Sequence, residues 1–388
     1  MKEKLSLPKG WELKTIGDVC ISASSNVSQN KLADDEGDYP IFGASGLIKK
    51  VNFYHRDKPY LSIVKDGSGV GRVTKMDAFT SVIGTLQYIL PKENIDLDYL
   101  NYSLMSVDFK KYVAGAAIPH IYFKDYKNEP FLWMPLPEQQ RIVSILDEAF
   151  SAIERSRNNA EQNLKNAKEL FESYLQGVFE NGHWGFVTLS EMATDISDGD
   201  HMPPPKSEFG LPFITISNIN KQTHKIDFSD TFKVPQKYYD DLKPNKKPIN
   251  GDVLYTVTGS YGIPVLIEDD FKFCFQRHIG LIRPSKKLNS KLLYYWILSP
   301  QAFLQANETA TGTAQKTVSL KSLRNFSFPN IPINEQQAIV HQLDALRAET
   351  KRLEAIYQQK LLNLEELKKS ILQKAFAGEL KIEKAVVV

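Results

Sequence analysis

Two stretches of the chain repeat apolar residues at alternating steps of three and four. In the first these are Ile142, Leu146, Ala149, Ile153, Ala160, Leu164, Ala167, Phe171, Tyr174 and Val178. In the second they are Ile339, Leu343, Leu346, Leu353, Tyr357, Leu361, Leu364 and Ile371. That spacing predicts long helices with a coiled-coil seam. Pro135 and Pro332 stand just upstream, where proline is tolerated, and Gly182 and Gly378 follow the periodic residues as stops. About 43 residues at ~1.5 Å each predict a rod of roughly 65 Å. Elsewhere the period shortens. Tyr60–Val64 and Gly251–Val257 read as strands, each running into a glycine-rich turn, Asp66–Gly71 and Gly259–Gly262. Leu97–Leu104 and Ser290–Leu298 read as short amphipathic helices.

The two long helices are copies of one segment. Pro135-Leu136-Pro137-Glu138-Gln139-Gln140-Arg141-Ile142-Val143 reappears as Pro332-Ile333-Asn334-Glu335-Gln336-Gln337-Ala338-Ile339-Val340, 197 positions on. The same offset carries Leu146 to Leu343, Asp147 to Asp344 and Phe179 to Phe376. Earlier, Trp11–Ile16 resembles Trp184–Leu189 at an offset of 173, so the second copy holds 24 extra residues inside its globule. The predicted organisation is a globule over 1–134, a helix over 135–182, a second globule over 183–331, a helix over 332–380 and a tail over 381–388. If a pseudo-twofold axis relates the halves, the two helices run antiparallel. The expected fold class is α/β (α+β), with two globules separated by two long antiparallel coiled-coil helices.

Composition changes this picture little. Apolar residues make up 42% of the chain and charged residues 24%, as in ordinary globular proteins, which excludes a disordered or fibrous chain. Two cysteines far apart, Cys20 and Cys274, supply neither a disulfide framework nor a cysteine zinc site and fit a reducing cytoplasm. No apolar run reaches the roughly 18 residues of a membrane span. Residues 1–134 carry 17 basic and 16 acidic side chains, and residues 184–334 carry 17 and 14. Neither globule is basic enough to hold DNA strongly alone, because phosphate neutralisation supplies most of the affinity. A partner must supply part of any clamp.

Catalytic signatures are missing. Gly67-Ser68-Gly69-Val70-Gly71 is followed by strand-forming Arg72-Val73-Thr74, whereas a dinucleotide fingerprint opens a helix. No P-loop is present. Met202-Pro203-Pro204-Pro205 lacks the amide and the aromatic of an adenine-methylation motif. Asp252, Asp270 and Lys272 mimic the ligands of a metal-dependent nuclease, but Asp252 also suits a turn cap and Glu268-Asp269-Asp270 a solvated hairpin tip. No catalytic or metal-ligating residue is expected. The remaining polar groups suit DNA reading instead: Lys65, Gly67, Ser68, Arg72 and His120 in the first globule, and Asn218, Asn220, Ser260, Tyr261, Gln276, Arg277, His278 and Lys316 in the second. They offer base-edge donors and acceptors, phosphate contacts, or glycine turns that let backbone approach a phosphate closely.

With these motifs in view, the chain resembles the specificity (S) subunits of type I restriction-modification enzymes. The doubled Pro-x-x-Glu-Gln-Gln-x-Ile-Val segment carries most of the likeness. Leu7-Pro8-Lys9-Gly10-Trp11, Gly251-Asp252-Val253-Leu254, Gln276-Arg277-His278-Ile279 and Ala375–Leu380 add to it. The resemblance implies two target-recognition domains, each reading half of a split double-stranded DNA site, with the helices as spacer and docking surface. It implies two methyltransferase (M) subunits that bind S-adenosylmethionine and two restriction (R) subunits that use ATP and Mg. It implies no cofactor on this chain, no membrane association and a cytoplasmic location. The competing readings are a free-standing site-specific metal-dependent endonuclease and a coiled-coil scaffold.

Overall fold

The computed structural model describes residues 7, 9–32, 35–115, 117–201 and 204–377. The Gly378 stop, the tail and the Met202-Pro203 step lie outside them. The chain forms two compact units. Unit 1 comprises Met1–Glu161 and Gln359–Val388, and unit 2 comprises Gln162–Gln358. The two long helices, Leu136–Glu180 and Ile333–Phe376, are therefore each shared, one portion to each unit.

Unit 1 is built on an antiparallel sheet in the order Cys20–Ser24, Leu86–Pro91, Tyr60–Val64, Val73–Met76. A second sheet has Tyr39–Gly43 at its centre, antiparallel to Gly46–Val51 and parallel to Ser81–Val82. Tyr60–Val64 is buried at every residue, so both faces are covered, and the Ser62 hydroxyl within it donates to the Thr74 carbonyl. Unit 2 repeats this plan. Ala193–Asp198, Ile279–Pro284, Val253–Thr256 and Pro264–Leu266 form the equivalent four strands. Leu211–Ile214 pairs antiparallel with Phe232–Val234 and parallel with Cys274–Phe275.

The 24 extra residues can now be placed. In unit 1 the central strand of the smaller sheet turns directly into its hairpin partner through Gly43–Gly46. In unit 2 the same connection is an excursion over 215–231, with a small hairpin of Ile219–Asn220 against Lys225–Ile226. Further additions are the helices Gln236–Asp241 and Pro300–Thr309.

The doubled Glu-Gln-Gln motif fastens each helix to its globule. Gln139 is fully buried; its Oε1 accepts from the Asp96 amide at 2.8 Å, and its Nε2 donates to the carbonyls of Asn94 at 2.9 Å and Met134 at 2.8 Å. Gln336, equally buried, accepts from Asn289 N at 2.7 Å and donates to Lys287 O and Ile331 O, both at 2.8 Å. Asp96 and Asn289 are in turn the N-caps of the helices Leu97–Met105 and Ser290–Ile297. Two turns further along each long helix, Tyr102 donates to Asp147, and Tyr295 donates to Asp344 at 2.6 Å. The Pro135 and Pro332 carbonyls accept the first helical amides. Leu146 and Leu343 are wholly buried beneath these polar clamps.

Within each unit the two helix portions pack antiparallel. In unit 1, Lys368 lies over the Phe150 ring at 5.3 Å, Arg157 pairs with Glu365 at 4.0 Å, and Ile142, Leu146 and Ala375 share one core. In unit 2, Tyr174 donates to Gln342 at 3.0 Å, and Leu175 and Phe179 share a core with Val340 and Leu343. Of the seam residues expected from sequence, Ile142, Leu146, Ile153 and Leu343 are buried, while Leu164, Phe171, Ile339, Leu353, Leu361 and Ile371 are half-buried. Near the globules the buried stripe instead runs through Leu175, Phe179, Val340, Leu372 and Ala375, and Tyr174 is exposed. The cause is twofold. A straight helix drifts ~20° per heptad against a 3.5 repeat. The helix ends must also face a globule as well as each other.

Candidate nucleic-acid interface

In unit 2 the glycine-rich turn after Val253–Thr256 meets two other loops. The Gly259 amide donates to Lys316 O, Val318 N to Val257 O, and Gln276 N to Ile214 O. Gly259 and Gly262 take left-handed φ values of +71° and +92°, which suit glycine in so tight a turn. Together with the start of the 215–231 excursion, these three loops wall an open cleft of about 480 Å³ lined by Thr215, Ile216, Ser217, Thr258, Gly259, Ser260, Gln276, His278 and Gln315. The lining is almost entirely hydroxyls, amides and one imidazole. Thr215 and Ser217 hydroxyls lie 2.7 Å apart, and Thr317 donates to Thr258 at 3.3 Å. Exposed Arg277 and Lys316 are next in sequence to lining residues. A neutral donor–acceptor cleft beside cations is the arrangement that base edges and phosphates require.

Unit 1 uses the same construction. Gly67 N donates to Pro119 O and Ile121 N to Lys65 O, while Ala114 and His120 exchange both backbone hydrogen bonds. Thr311 and Thr317 exchange the same pair in unit 2. The Arg72 guanidinium donates to the Ala44 carbonyl in the Gly43–Gly46 turn, the place where unit 2 carries its excursion. His120 Nδ1 lies 3.2 Å from Ile118 O. Lys65, Gly67, Ser68, Arg72 and His120 thus share one cluster of three loops, with Lys65 Nζ 4.0 Å from Asp66.

Three sequence candidates occupy other roles. Asn218 is buried, with its amide held by Thr215 N and Oγ1, both at 2.9 Å, and by Asp230 O at 2.9 Å. It locks the excursion in place and presents no base-reading edge. Asn220 accepts from Gln222 N and Thr223 N, closing its own turn outside the cleft. Tyr261 donates to Asn307 at 2.7 Å and lies near-parallel to the Phe303 ring at 6.2 Å, which fixes it to the fold. Thr215, Thr258 and Gln315 line the cleft although sequence reasoning did not select them. Carrying the 197-residue offset upstream to the 114–120 loop points to the segment holding Gln315.

The nuclease ligands are spent elsewhere. Asp252, 1% exposed, takes a forked ion pair from Arg283 (Nε 2.9 Å, Nη2 2.8 Å) and an amide from Ile249 at 2.9 Å. Asp270 accepts from Asn250 N at 3.1 Å, and Lys272 lies over the Tyr239 ring at 6.0 Å. Among the described residues no His/Cys/Asp/Glu group could hold a metal. Burial pushes the thiols of Cys20 and Cys274 up to about 12, so neither is a nucleophile at neutral pH. Among the described residues no helix is long and apolar enough to cross a membrane.

An α/β globule built twice, each copy presenting a polar three-loop cluster and each bolted to long helices by a buried glutamine, defines an internally duplicated protein with two equivalent candidate recognition surfaces. Comparison with known proteins agrees. The type I restriction modification DNA specificity domain matches residues 8–162 and again residues 181–363. The MjaVIII specificity subunit of Methanocaldococcus jannaschii is 24% identical over 98% of this chain and 95% of its own length. The EcoDI specificity subunit of Escherichia coli is 20% identical over 96% and 89%. In fold, the chain matches one from a structural study of assembly and conformational transition in the type I R-M system (TM-score 0.73, 19% identity, 97% and 100% coverage). It also matches the HsdS subunit of Thermoanaerobacter tengcongensis (TM-score 0.62, 20% identity, 97% and 99% coverage). The chain belongs to the type I restriction-modification DNA specificity family. It is a sequence-specific DNA-binding specificity subunit, and the free-standing endonuclease reading has no support.

Proposed function

We propose that each three-loop cluster reads one half of a bipartite double-stranded DNA site, with the paired helices setting the distance between the halves. The observation that carries this reading is the recurrence of one hydrogen-bonded loop arrangement in both units, Asp66–His120–Ala114 in one and Thr258–Thr317–Thr311 in the other. In unit 2 the base-edge groups are Ser260, Gln276 and His278, with Arg277 and Lys316 on the backbone. In unit 1, Lys65, Ser68, Arg72 and His120 serve. The chain itself is non-catalytic. Two methyltransferase subunits with S-adenosylmethionine and two restriction subunits with ATP and Mg assemble on it in the cytoplasm. The two copies of the helix clamp supply two similar docking surfaces.

The test is the methylated motif of the assembled enzyme. Gln276→Ala with His278→Ala removes base contacts worth ~1–3 kcal/mol each, so one half-site relaxes and the other is kept. Lys316→Ala weakens binding to every sequence alike and lowers its salt dependence. A double variant that reads both halves unchanged defeats the assignment.

A further inference from the structure

Unit 2 contains a second cavity, of about 630 Å³, away from the polar cleft. That volume suits a small molecule. Its walls are the extra hairpin (Thr223–Phe228), the strand and turn Val265–Asp269, and the helix face carrying Tyr294 and Tyr295. The long-helix residues Arg347 and Lys351 complete it. Phe228, Phe271 and Phe273 stack edge-to-face on this side, with centroids 5.0 and 5.8 Å from Phe228. The Arg347 guanidinium lies 5.2 Å over Tyr294, 5.7 Å over Tyr295 and 5.8 Å over Phe171.

The charges here are unequally matched. Lys291 and Asp344 pair at 3.0 Å and neutralise each other. Among the described residues, no carboxylate lies within ion-pair reach of Arg347, Lys351 or Lys225. Burial, Arg347 and Lys225 hold the Lys351 ammonium below its usual range, and burial, Arg347 and Lys351 do the same for His224. Three cations and an imidazole are crowded together, while the carboxylates nearby, Glu268 and Asp269 in the lining and Glu354 one turn from Lys351, stand beyond ion-pair distance of them. His224 also sits at φ +54°, a strained conformation for a non-glycine residue, with its ring edge-on to Tyr294 at 6.2 Å.

Unit 1 shows that the fold does not require these groups. Phe150 stands where unit 2 has Arg347, and Glu154 where it has Lys351, each 197 positions earlier. Phe150 packs on Tyr102 at 5.3 Å, and unit 1 has no inserted hairpin at the corresponding turn. A partner that docks alike on both halves therefore does not account for the cavity. Its occupant belongs to unit 2.

We propose that this cavity binds a nucleoside phosphate, with the base among the Phe228, Phe271 and Tyr294 rings and the phosphates against Arg347, Lys351 and Lys225. Glu268 and Asp269, also in the lining, suit ribose hydroxyls and exocyclic amines. The proposal departs from the expectation that this chain carries no small molecule, and it is independent of the DNA-reading assignment. Isothermal titration of the full chain with ATP, AMP, adenosine and inorganic phosphate tests it. ATP or AMP should bind once per chain, and adenosine and phosphate each ~10-fold or more weaker, since each makes half the contacts. Lys225→Glu with Lys351→Glu, both exposed positions, should weaken the nucleotide by ~10-fold or more without lowering the melting temperature. Arg347→Phe with Lys351→Glu, which grafts the unit 1 pair, should do the same. No nucleotide binding at ~1 mM, phosphate binding as tightly as ATP, or unchanged binding by the folded Lys225/Lys351 variant overturns it.

Discussion

Replacing Gln139 with leucine keeps the volume of the side chain and removes its amide. Three partners then lose their hydrogen bonds: Asp96 N, Asn94 O and Met134 O, all within 2.9 Å of the buried amide. A buried polar group left unsatisfied costs ~1–3 kcal/mol, so the three together cost roughly 3–9 kcal/mol. Leucine returns ~1–2 kcal/mol of apolar burial. The net loss is about 1–8 kcal/mol, centred near 4–5, against the ~5–15 kcal/mol that holds a domain together. The damage should be local, because every partner lies in unit 1. Hydrogen exchange read by mass spectrometry should show fast exchange in Leu97–Met105 and in the start of the first long helix, with unit 2 protected. Gln336→Leu should give the mirror result, exposing Ser290–Ile297. A Gln139→Leu chain less than ~1 kcal/mol weaker by urea titration, or one whose unit 2 opens equally, would refute the view that the repeated glutamine is the bolt of its own unit.

Arg283→Met strands the Asp252 carboxylate in the core and should cost unit 2 about 3–5 kcal/mol in urea unfolding, whereas the double variant with Asp252→Leu should recover much of it. Thiols raised to about 12 remain protonated at pH 8, so Cys20 and Cys274 should resist a disulfide reagent until denaturant is added; fast labelling of the native chain would contradict their burial. Four residues added to both long helices at the unit boundary, between 161 and 162 and between 358 and 359, lengthen each by ~6 Å and should widen the gap between half-sites by about one or two base pairs. An insertion after Phe179 is the poorer choice, since that ring is buried in the unit 2 core. A methylated motif with an unchanged gap would sink the spacer role.

The duplication was legible because a constant offset survives even where identity is low, and helix periodicity is a one-dimensional signal. Asp252 illustrates the opposite case. Its turn-capping bond to Ile249 is local and could be read from the sequence, but its partner Arg283 is 31 positions away and is brought to it by strand pairing. Gln139 and Gln336 look like surface residues in a polar run, and only the loop wrapped around them makes them core. Asn218 misled for the same reason: an amide that could read a base was already spent on Asp230. The polar cleft assembles from four separate chain segments, so no local pattern announces Thr215 or Gln315. The two long helices were legible from their period, whereas the buried stripe near their ends was not, because the globules compete there for the same faces.

The division of the helices between units also fixes an order of events. Unit 2 is one continuous run of chain, Gln162–Gln358, enclosed between the two pieces of unit 1. During synthesis the ribosome releases every residue of unit 2 before the second piece of unit 1 emerges. Until then Ile142 and Leu146 lack their late-made neighbours Ile371, Ala375 and Phe376. The first-made globule is therefore the last completed, and its exposed apolar helix must wait in water while its sibling folds. A premature stop near residue 360 would leave unit 2 whole and unit 1 permanently open. Aggregation of such a fragment would then begin at the amino-terminal half, although the lesion lies near the carboxyl end.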